Sequence, residues 1–273
     1  MPSQAEKAEI FAGLHRRGGA FIIPNPWDIG TARVLAQLGF EALATTSAGY
    51  AFSIGKPDGA VGRDAMMAHV GEIVGATDLP VSADLENGFG DAPETVAETV
   101  RLAGEAGLAG CSIEDSFFHG PEGIYDFALA VERIQAAVEA ARALPFAFTL
   151  TARSENLLVG RPDLDDTIRR LQAFEAAGAD VLYAPGLASA DEIASVVKSL
   201  GRPLNVLAGV QGMTLDAGGL AALGVKRISV GSLLSRAAWG GFLRGSREMI
   251  EKGTFGFAGD AAPFPEITAM MTD

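Results

Sequence analysis

Eight short apolar runs, each bounded by turn residues, recur along the whole chain: Ala20–Ile23, Glu41–Thr46, Pro80–Asp84, Gly110–Glu114, Ala147–Thr151, Asp180–Ala184, Pro203–Leu207 and Arg227–Val230. Their β-leaning composition predicts strands. Helical patterns fall between most of them, at Thr31–Leu38, Arg63–Ala76, Pro93–Ala106, Phe127–Arg142, Asp165–Ala177, Asp191–Leu200 and Asp216–Leu223. Asp91 is the expected N-cap of the third of these, with Pro93 in its first turn. One punctuation repeats before the strands, as Leu38-Gly39-Phe40, Ala106-Gly107-Leu108, Ala177-Gly178-Ala179 and Leu223-Gly224-Val225. Glycine there is the residue that ends a helix in the left-handed region. Strand, helix, glycine, strand, repeated without a linker, predicts an α/β fold of the (β/α)8 TIM-barrel type rather than an open doubly wound sheet. The chain has 273 residues, close to the roughly 250 such a barrel uses.

The sequence outside the barrel is helical. Gln4–Arg17 precedes the first strand and is expected to cover the barrel floor. The reading is one domain over 1–273, with the barrel at 1–235 and a C-terminal helical extension at 236–273. In that extension Ser235–Glu251 reads as a helix, Gly253–Pro265 as a linker and Glu266–Met271 as a last short helix. The small apolar face of Ile267, Met270 and Met271 can dock on its own barrel or, by swapping, on a neighbouring subunit. A homo-oligomer, dimer or tetramer, is therefore expected.

Charge and cysteine content narrow the partners. The net charge of −13 argues against nucleic acid and against an acidic membrane surface, both of which want a basic face. It leaves room for a small anion, because a local arginine overrides the global field. Cys111 is the one cysteine, so no intrachain disulfide can form, which fits a cytoplasmic protein. The N-terminal residues lack a signal pattern, and no apolar stretch is long enough to span a membrane.

Chemistry concentrates just past the strand ends. Asp84 and Glu86 close Val81-Ser82-Ala83-Asp84-Leu85-Glu86, and strand alternation lets both point the same way. Asn87-Gly88-Phe89-Gly90 then lets the backbone turn sharply. Two like charges aimed into one site need a cation or a proton between them, and Mg2+, with its oxygen ligands and retained waters, suits the pair. The bland alternative is a solvated turn. Glu114 and Asp115 end the fourth strand; Glu114 can hold a metal-bound water, and Asp115 can cap a loop or pair with an arginine. Thr46, Ser47 and Ala48 follow the second strand, where hydroxyls and free amides make an anion nest. Asp58 belongs either to this site or to an ordinary Pro-Asp-Gly turn. Arg153 ends the fifth strand and can bind a carboxylate bidentately or pair with Glu155; Asn205 can donate to a substrate carboxylate or bridge backbone groups. Gly209-Val210-Gln211-Gly212 and Gly231-Ser232 lie where many barrels bind phosphate. His15 and His69 are expected to be structural, His119 lies in the loop after strand four where it can face the mouth, and Cys111 reads as inert core.

These residues, taken in order, resemble the isocitrate lyase / phosphoenolpyruvate mutase superfamily between about Asn25 and Ser232. The resemblance is carried by Thr46-Ser47-Ala48, Gly55-Lys56-Pro57-Asp58, Asp84 to Gly90, Ile113-Glu114-Asp115 and Thr151-Ala152-Arg153. It implies a barrel with Mg2+ near the mouth, acting on 2-oxo or 2-hydroxy acids through an enolate-like intermediate. It implies Asp84 as the direct metal ligand, with Asp58, Glu86 and Glu114 acting largely through water. It implies that Thr46, Ser47 and Ala48 hold a carboxylate or phosphonate, that Arg153 binds the acidic group and that Asn205 assists. Asp58, Glu114 and Arg153 are thus the expected catalytic set. The chain departs from the family lyases, which carry a Lys-x-Cys-Gly-His loop where this one reads Ser116-Phe117-Phe118-His119-Gly120-Pro121-Glu122-Gly123. Pro185 is followed by Gly186 instead of a glutamate, and the mutases' gating-loop lysine and asparagine are absent.

The expected function is a Mg2+-dependent lyase that cleaves a C–C bond, by aldol-type cleavage or decarboxylation, in a small 2-oxo or 2-hydroxy di-acid. Decarboxylation needs no strong acid from the loop, which suits the missing residues; Tyr50 or His119 are the candidates for the closing proton. The alternatives are a non-catalytic 2-oxo acid-binding protein, a phosphonopyruvate- or phosphoenolpyruvate-type enzyme, and a phosphate-ester enzyme using the late glycines.

Overall fold

The computed structural model describes residues 2–117 and 123–271. Eight parallel strands, β1 (Phe21–Ile23), β2 (Leu43–Ala44), β3 (Val81–Asp84), β4 (Gly110–Glu114), β5 (Thr149–Arg153), β6 (Val181–Tyr183), β7 (Leu204–Leu207) and β8 (Arg227–Ser229), run in the order β1-β8-β7-β6-β5-β4-β3-β2. Seven ladders join them. The remaining seam is bridged by the Ala44 amide, which donates to the Pro24 carbonyl at 3.0 Å, so the sheet is nearly closed into a (β/α)8 TIM-type barrel.

Helices alternate with the strands as the sequence predicts: α1 (Gln4–Arg16), α2 (Ile29–Gln37), α3 (Ser47–Ser53), α4 (Arg63–Gly75), α5 (Pro93–Glu105), α6 (Phe127–Ala143), α7 (Leu164–Ala176), α8 (Ala190–Ser199), α9 (Ala217–Ala222), α10 (Leu233–Lys252) and α11 (Phe264–Ala269). The four punctuating glycines, Gly39, Gly107, Gly178 and Gly224, all have positive φ, which is why a helix can end and the chain enter the next strand there. The main core lies between the sheet and the helices, from Leu43 and Val81 round to Val206 and Ile228. A second cluster, built by Phe11 and Leu14 of α1 with Phe21 and Ile23, closes the floor, as expected of the first helix.

Several local expectations are corrected. β2 is two residues long, because Thr46 leaves the sheet to become the N-cap of α3, a helix the sequence reading did not anticipate; its hydroxyl accepts from the Gly49 amide at 3.3 Å. β5 sits two residues later than expected, which places Arg153 inside the strand end. Asp91 does not cap α5: the N-cap is Ala92, without a side-chain bond, and Asp91 accepts from the Tyr125 hydroxyl at 2.7 Å. α10 starts at Leu233, ahead of the expected barrel limit at 235, and the linker after it holds a 3-10 turn, Gly256–Asp260.

Candidate active site

Glu114, Arg153 and Tyr183 at the carboxyl ends of β4, β5 and β6, then Asn205 inside β7 and Arg227 at the start of β8, are successive in-register partners and so share one face of the sheet. Asp84, at the end of β3, joins them beside Arg153. A cavity of about 40 Å³ lies among them, lined by Asp84, Arg153, Tyr183, Asn205, Arg227 and Ser229, with further residues from β1 to β4.

Asp84 is fixed from both sides. Its Oδ2 accepts from the Ser47 hydroxyl at 3.0 Å and the Ser47 amide at 3.3 Å. Its own amide donates to the Thr45 hydroxyl at 3.1 Å, which ties β3 to the turn into α3. Ser47 can donate because the chain turns into α3 at that point, and Thr46 is spent on capping that turn.

Glu86 reaches the same mouth, but not by strand alternation. β3 ends at Asp84, Leu85 is buried, and Glu86 itself takes φ 50°, a left-handed conformation a side-chain-bearing residue rarely adopts. Phe89 has φ 62°, so the loop is bent twice at non-glycine positions. Arg133 of α6 holds it there: the guanidinium donates to the carbonyls of Asn87, Gly90 and Asp91 and lies over the Tyr125 ring, 4.0 Å from its centre.

The carboxylates crowd one another. Burial first, then the charges of Asp84, Asp58 and Glu114, push the Glu86 carboxyl up to about 8. Glu86 Oε1 is buried without a hydrogen-bond partner. Glu114, buried and hydrogen-bonded by the Ser116 hydroxyl, is also pushed up to about 8, chiefly by burial. Asp58 stands on an exposed turn, yet partial desolvation and then the charge of Asp84 raise it, so it does face the site. Among the described residues, no group of three or more His, Cys, Asp or Glu side chains has the geometry to ligate one ion directly.

Arg153 meets both expected readings at once. Its Nε donates to Glu155, while Nη1 lies 3.4 Å from Glu114 and 3.7 Å from Asp84. Burial works against its charge, but Glu155, Glu114, Tyr183 and Asp84 more than offset it, and its pKa ends above the ordinary value. Asp115 is the structural partner in its pair. It accepts from the Glu155 amide at 2.8 Å and from Arg170 at 3.2 Å, fixing the turn that carries Glu155.

The other candidates fall out as follows. Ala48 sits in the first turn of α3. Asn205 is buried, donates to Ser229 Oγ at 3.0 Å and accepts from Arg227 Nε at 2.9 Å, so side chains rather than backbone groups hold it. The amides of Val230 and Gly231 both donate to Asn25 Oδ1 at 2.9 Å, so the strand-eight end is already occupied. Tyr50 is stacked on His69 at 3.7 Å. His119 lies outside the described residues. Cys111 is a buried free thiol pushed above its ordinary value by burial. Glu155, read from the sequence as a candidate partner of Arg153, is one; sequence reasoning missed Tyr183, Arg227 and Arg133, although the first two carry a signal in hindsight, since each is a polar residue at a strand register position.

Acidic groups clustered at the carboxyl end of a parallel barrel, beside an arginine and a serine-led turn, define an enzyme of the α/β-barrel class with its site at the strand mouth. The comparisons give the family. A family model described as phosphoenolpyruvate phosphomutase matches residues 11–250, and the chain belongs to that family of lyases and mutases. The crystal structure of a putative lyase/mutase from Burkholderia cenocepacia J2315 is 64% identical, with a TM-score of 0.95, over 97% of this chain and 96% of that one. An oxaloacetate decarboxylase from Paraburkholderia xenovorans (strain LB400) is 32% identical over 84% of this chain and 77% of its own. The structure of a 2,3-dimethylmalate lyase is 27% identical, with a TM-score of 0.84, over 99% of this chain and 95% of that one.

Proposed function

We propose that this enzyme is a Mg2+-dependent carbon–carbon lyase of small 2-oxo or 2-hydroxy di-acids, and that its reaction is the decarboxylation or aldol-type cleavage of an oxaloacetate-like substrate. The observation that carries the reading is the convergence of Asp58, Asp84, Glu86 and Glu114 on one mouth, with Glu86 Oε1 buried and unpartnered. Buried like charges of this kind need a proton or a cation between them. Mg2+ fits the donor set because it takes few protein carboxylates directly and keeps several waters, which suits a mouth without a three-ligand cluster. Asp84, held by Ser47, would be the direct ligand; Asp58, Glu86 and Glu114 would hold its waters. When bound, the ion supplies Lewis acidity at the 2-oxygen as the C–C bond breaks.

The chain's own residues do the rest. Arg153, kept charged by three carboxylates, stands where it can bind the substrate's acidic group. Ser47 and the first turn of α3 offer hydroxyl and amide donors at the same mouth. In decarboxylation the electron pair of the broken bond passes to the 2-oxygen, carbon dioxide leaves, and a proton returns to the carbon it vacates. The similarity to an oxaloacetate decarboxylase over most of both chains supports this reaction over phosphoryl chemistry. So does the capture of the strand-eight amides by Asn25. We further infer a homo-oligomer, from apolar side chains left exposed on the C-terminal extension. The test of function is oxaloacetate consumption with Mg2+ and with a chelator. Mg2+-dependent turnover that Asp84→Ala abolishes is expected; equal turnover by both proteins would overturn the reading.

A further inference from the structure

Arg227 is a cation in the interior of the barrel, and no group of opposite charge among the described residues answers it. It is 4% exposed, its Nε is spent on Asn205, and its Nη1 is buried with no hydrogen-bond partner. Among the described residues it makes no ion pair with a carboxylate. The contrast with Arg153 in the same cavity is direct, since that guanidinium has Glu155, Glu114 and Asp84 around it. An unanswered buried charge is costly, so a protein that keeps one either neutralises it or uses it. Burial does lower the pKa of Arg227, to about 10, which still leaves it charged at neutral pH. Its field reaches the floor as well, where it helps depress His15.

The space beside it is the cavity of about 40 Å³ that Arg227 lines with Tyr183, Asn205 and Ser229, and that Arg153 and the Asp84 carboxylate line as well. A water needs roughly 10–15 Å³ by such a measure, so the cavity has room for about three waters or one anion of halide or carboxylate size, and not for a whole di-acid. Asn205 gives one amide hydrogen to Ser229 and has a second to offer, and the Tyr183 and Ser229 hydroxyls, hydrogen-bonded to each other, stand on the same wall with one hydroxyl hydrogen between them left to give. A cation, neutral donors and a volume set for one small anion meet there. We propose that the Arg227 side of this cavity is a small-anion subsite in which Arg227 binds a monovalent anion no larger than a carboxylate. The subsite does not depend on the proposed lyase reaction or on a divalent cation.

Thermal unfolding in EDTA, at constant ionic strength, tests it. Replacing sodium gluconate, whose anion is too bulky for the cavity, with sodium chloride or formate should raise the melting midpoint of the wild type in a saturable way. Arg227→Met should lose that response. Removal of an unpaired buried charge by an apolar side chain of similar length should also leave the gluconate midpoint no lower. A wild type indifferent to the exchange, or a variant that responds as the wild type does, would overturn the proposal. Chloride NMR line broadening on the wild type gives a second reading that needs no variant: specific, formate-displaceable broadening is expected, and its absence would also sink the subsite. Oxaloacetate added to that sample separates the sources. Displacement of chloride assigns the subsite to a substrate carboxylate, and retention assigns it to a free anion of the medium.

Discussion

Asp84 gains its role from being held. Two donors from Ser47 fix one oxygen and the Thr45 hydroxyl anchors its amide, so the carboxylate meets a ligand without first losing rotamer freedom. Loss of Asp84 should therefore abolish the rise in melting midpoint that Mg2+ gives the wild type, a binding readout separate from turnover. Glu114→Gln removes the carboxylate proposed to hold a metal-bound water and should cost about 10–100-fold in Mg2+ affinity or in activity, measured by Mg2+ titration of each. His15, far from the mouth, tests a different charge. Its Nδ1 bonds to the Phe11 carbonyl oxygen, its ring packs edge-on to Phe11 and Phe21, and burial, with help from Arg227, lowers its pKa to about 3. The unfolded imidazole titrates near 6.5, so the unfolded state takes up the proton first as pH falls. The stability this neutral histidine contributes is fully present above 6.5 and is lost as pH drops toward 3. By pH 5 the loss should be roughly 2 kcal/mol. Denaturant unfolding of wild type and His15→Leu between pH 7 and 5 checks it: the wild type should lose that much more than the variant over the interval.

At the scale of elements, close approach decides more than propensity. Gly110 opens β4 where an added Cβ would come within 2.4 Å of the Thr149 carbonyl oxygen and 3.1 Å of the Phe11 ring. The residue is glycine because strand, neighbouring strand and floor helix meet there. Gly110→Ala should cost about 2–3 kcal/mol by overpacking, seen as a lower denaturation midpoint. The 85–91 loop depends on one side chain in the same way. Arg133→Met should leave three loop carbonyls without their donor and release Glu86 from its left-handed turn. Activity should then fall together with stability. Much of this was legible in the sequence, and the reason is periodicity. The strands and their glycine punctuation are local signals, and the carboxylates stand next to them. The short helix after Thr46 escaped because Thr46-Ser47-Ala48 reads equally as a loop, and only the tertiary turn decides. The common mouth of Asp84 and Glu86 was read correctly for the wrong reason. Alternation does not bring them together; a strained turn clamped by Arg133, 47 residues beyond Glu86, does so, and no local pattern carries a contact at that separation.

For the molecule as a whole, the unbalanced surface is the C-terminal extension. The barrel leaves large apolar side chains exposed only at scattered positions such as Leu38 and Leu158, whereas Phe242 is 62% exposed, Ile250 85%, Phe255 68% and Phe264 82%, all beyond residue 235. Isolated exposed apolar side chains are ordinary; four large ones on one terminal segment, next to the half-exposed Trp239 and Leu243, are what the proposed homo-oligomer would bury. α11 does touch its own barrel, since the Arg33 guanidinium donates to the Met271 carbonyl at 2.7 Å, so that end is anchored while the apolar side of α10 stays open. A second copy of the chain is the partner that would cover it, because a two-fold contact lets each α10 hide the other's exposed side chains. The wild type should then sediment at a multiple of its 28.2 kDa chain mass. Phe242→Glu with Ile250→Glu puts charges where apolar surface must be buried, so the variant should sediment at the mass of one chain. No described residue of the proposed metal site lies on that segment, so Mg2+ binding per chain should persist in the dissociated form. A wild type already monomeric at micromolar concentration would show that the extension stays open in solution.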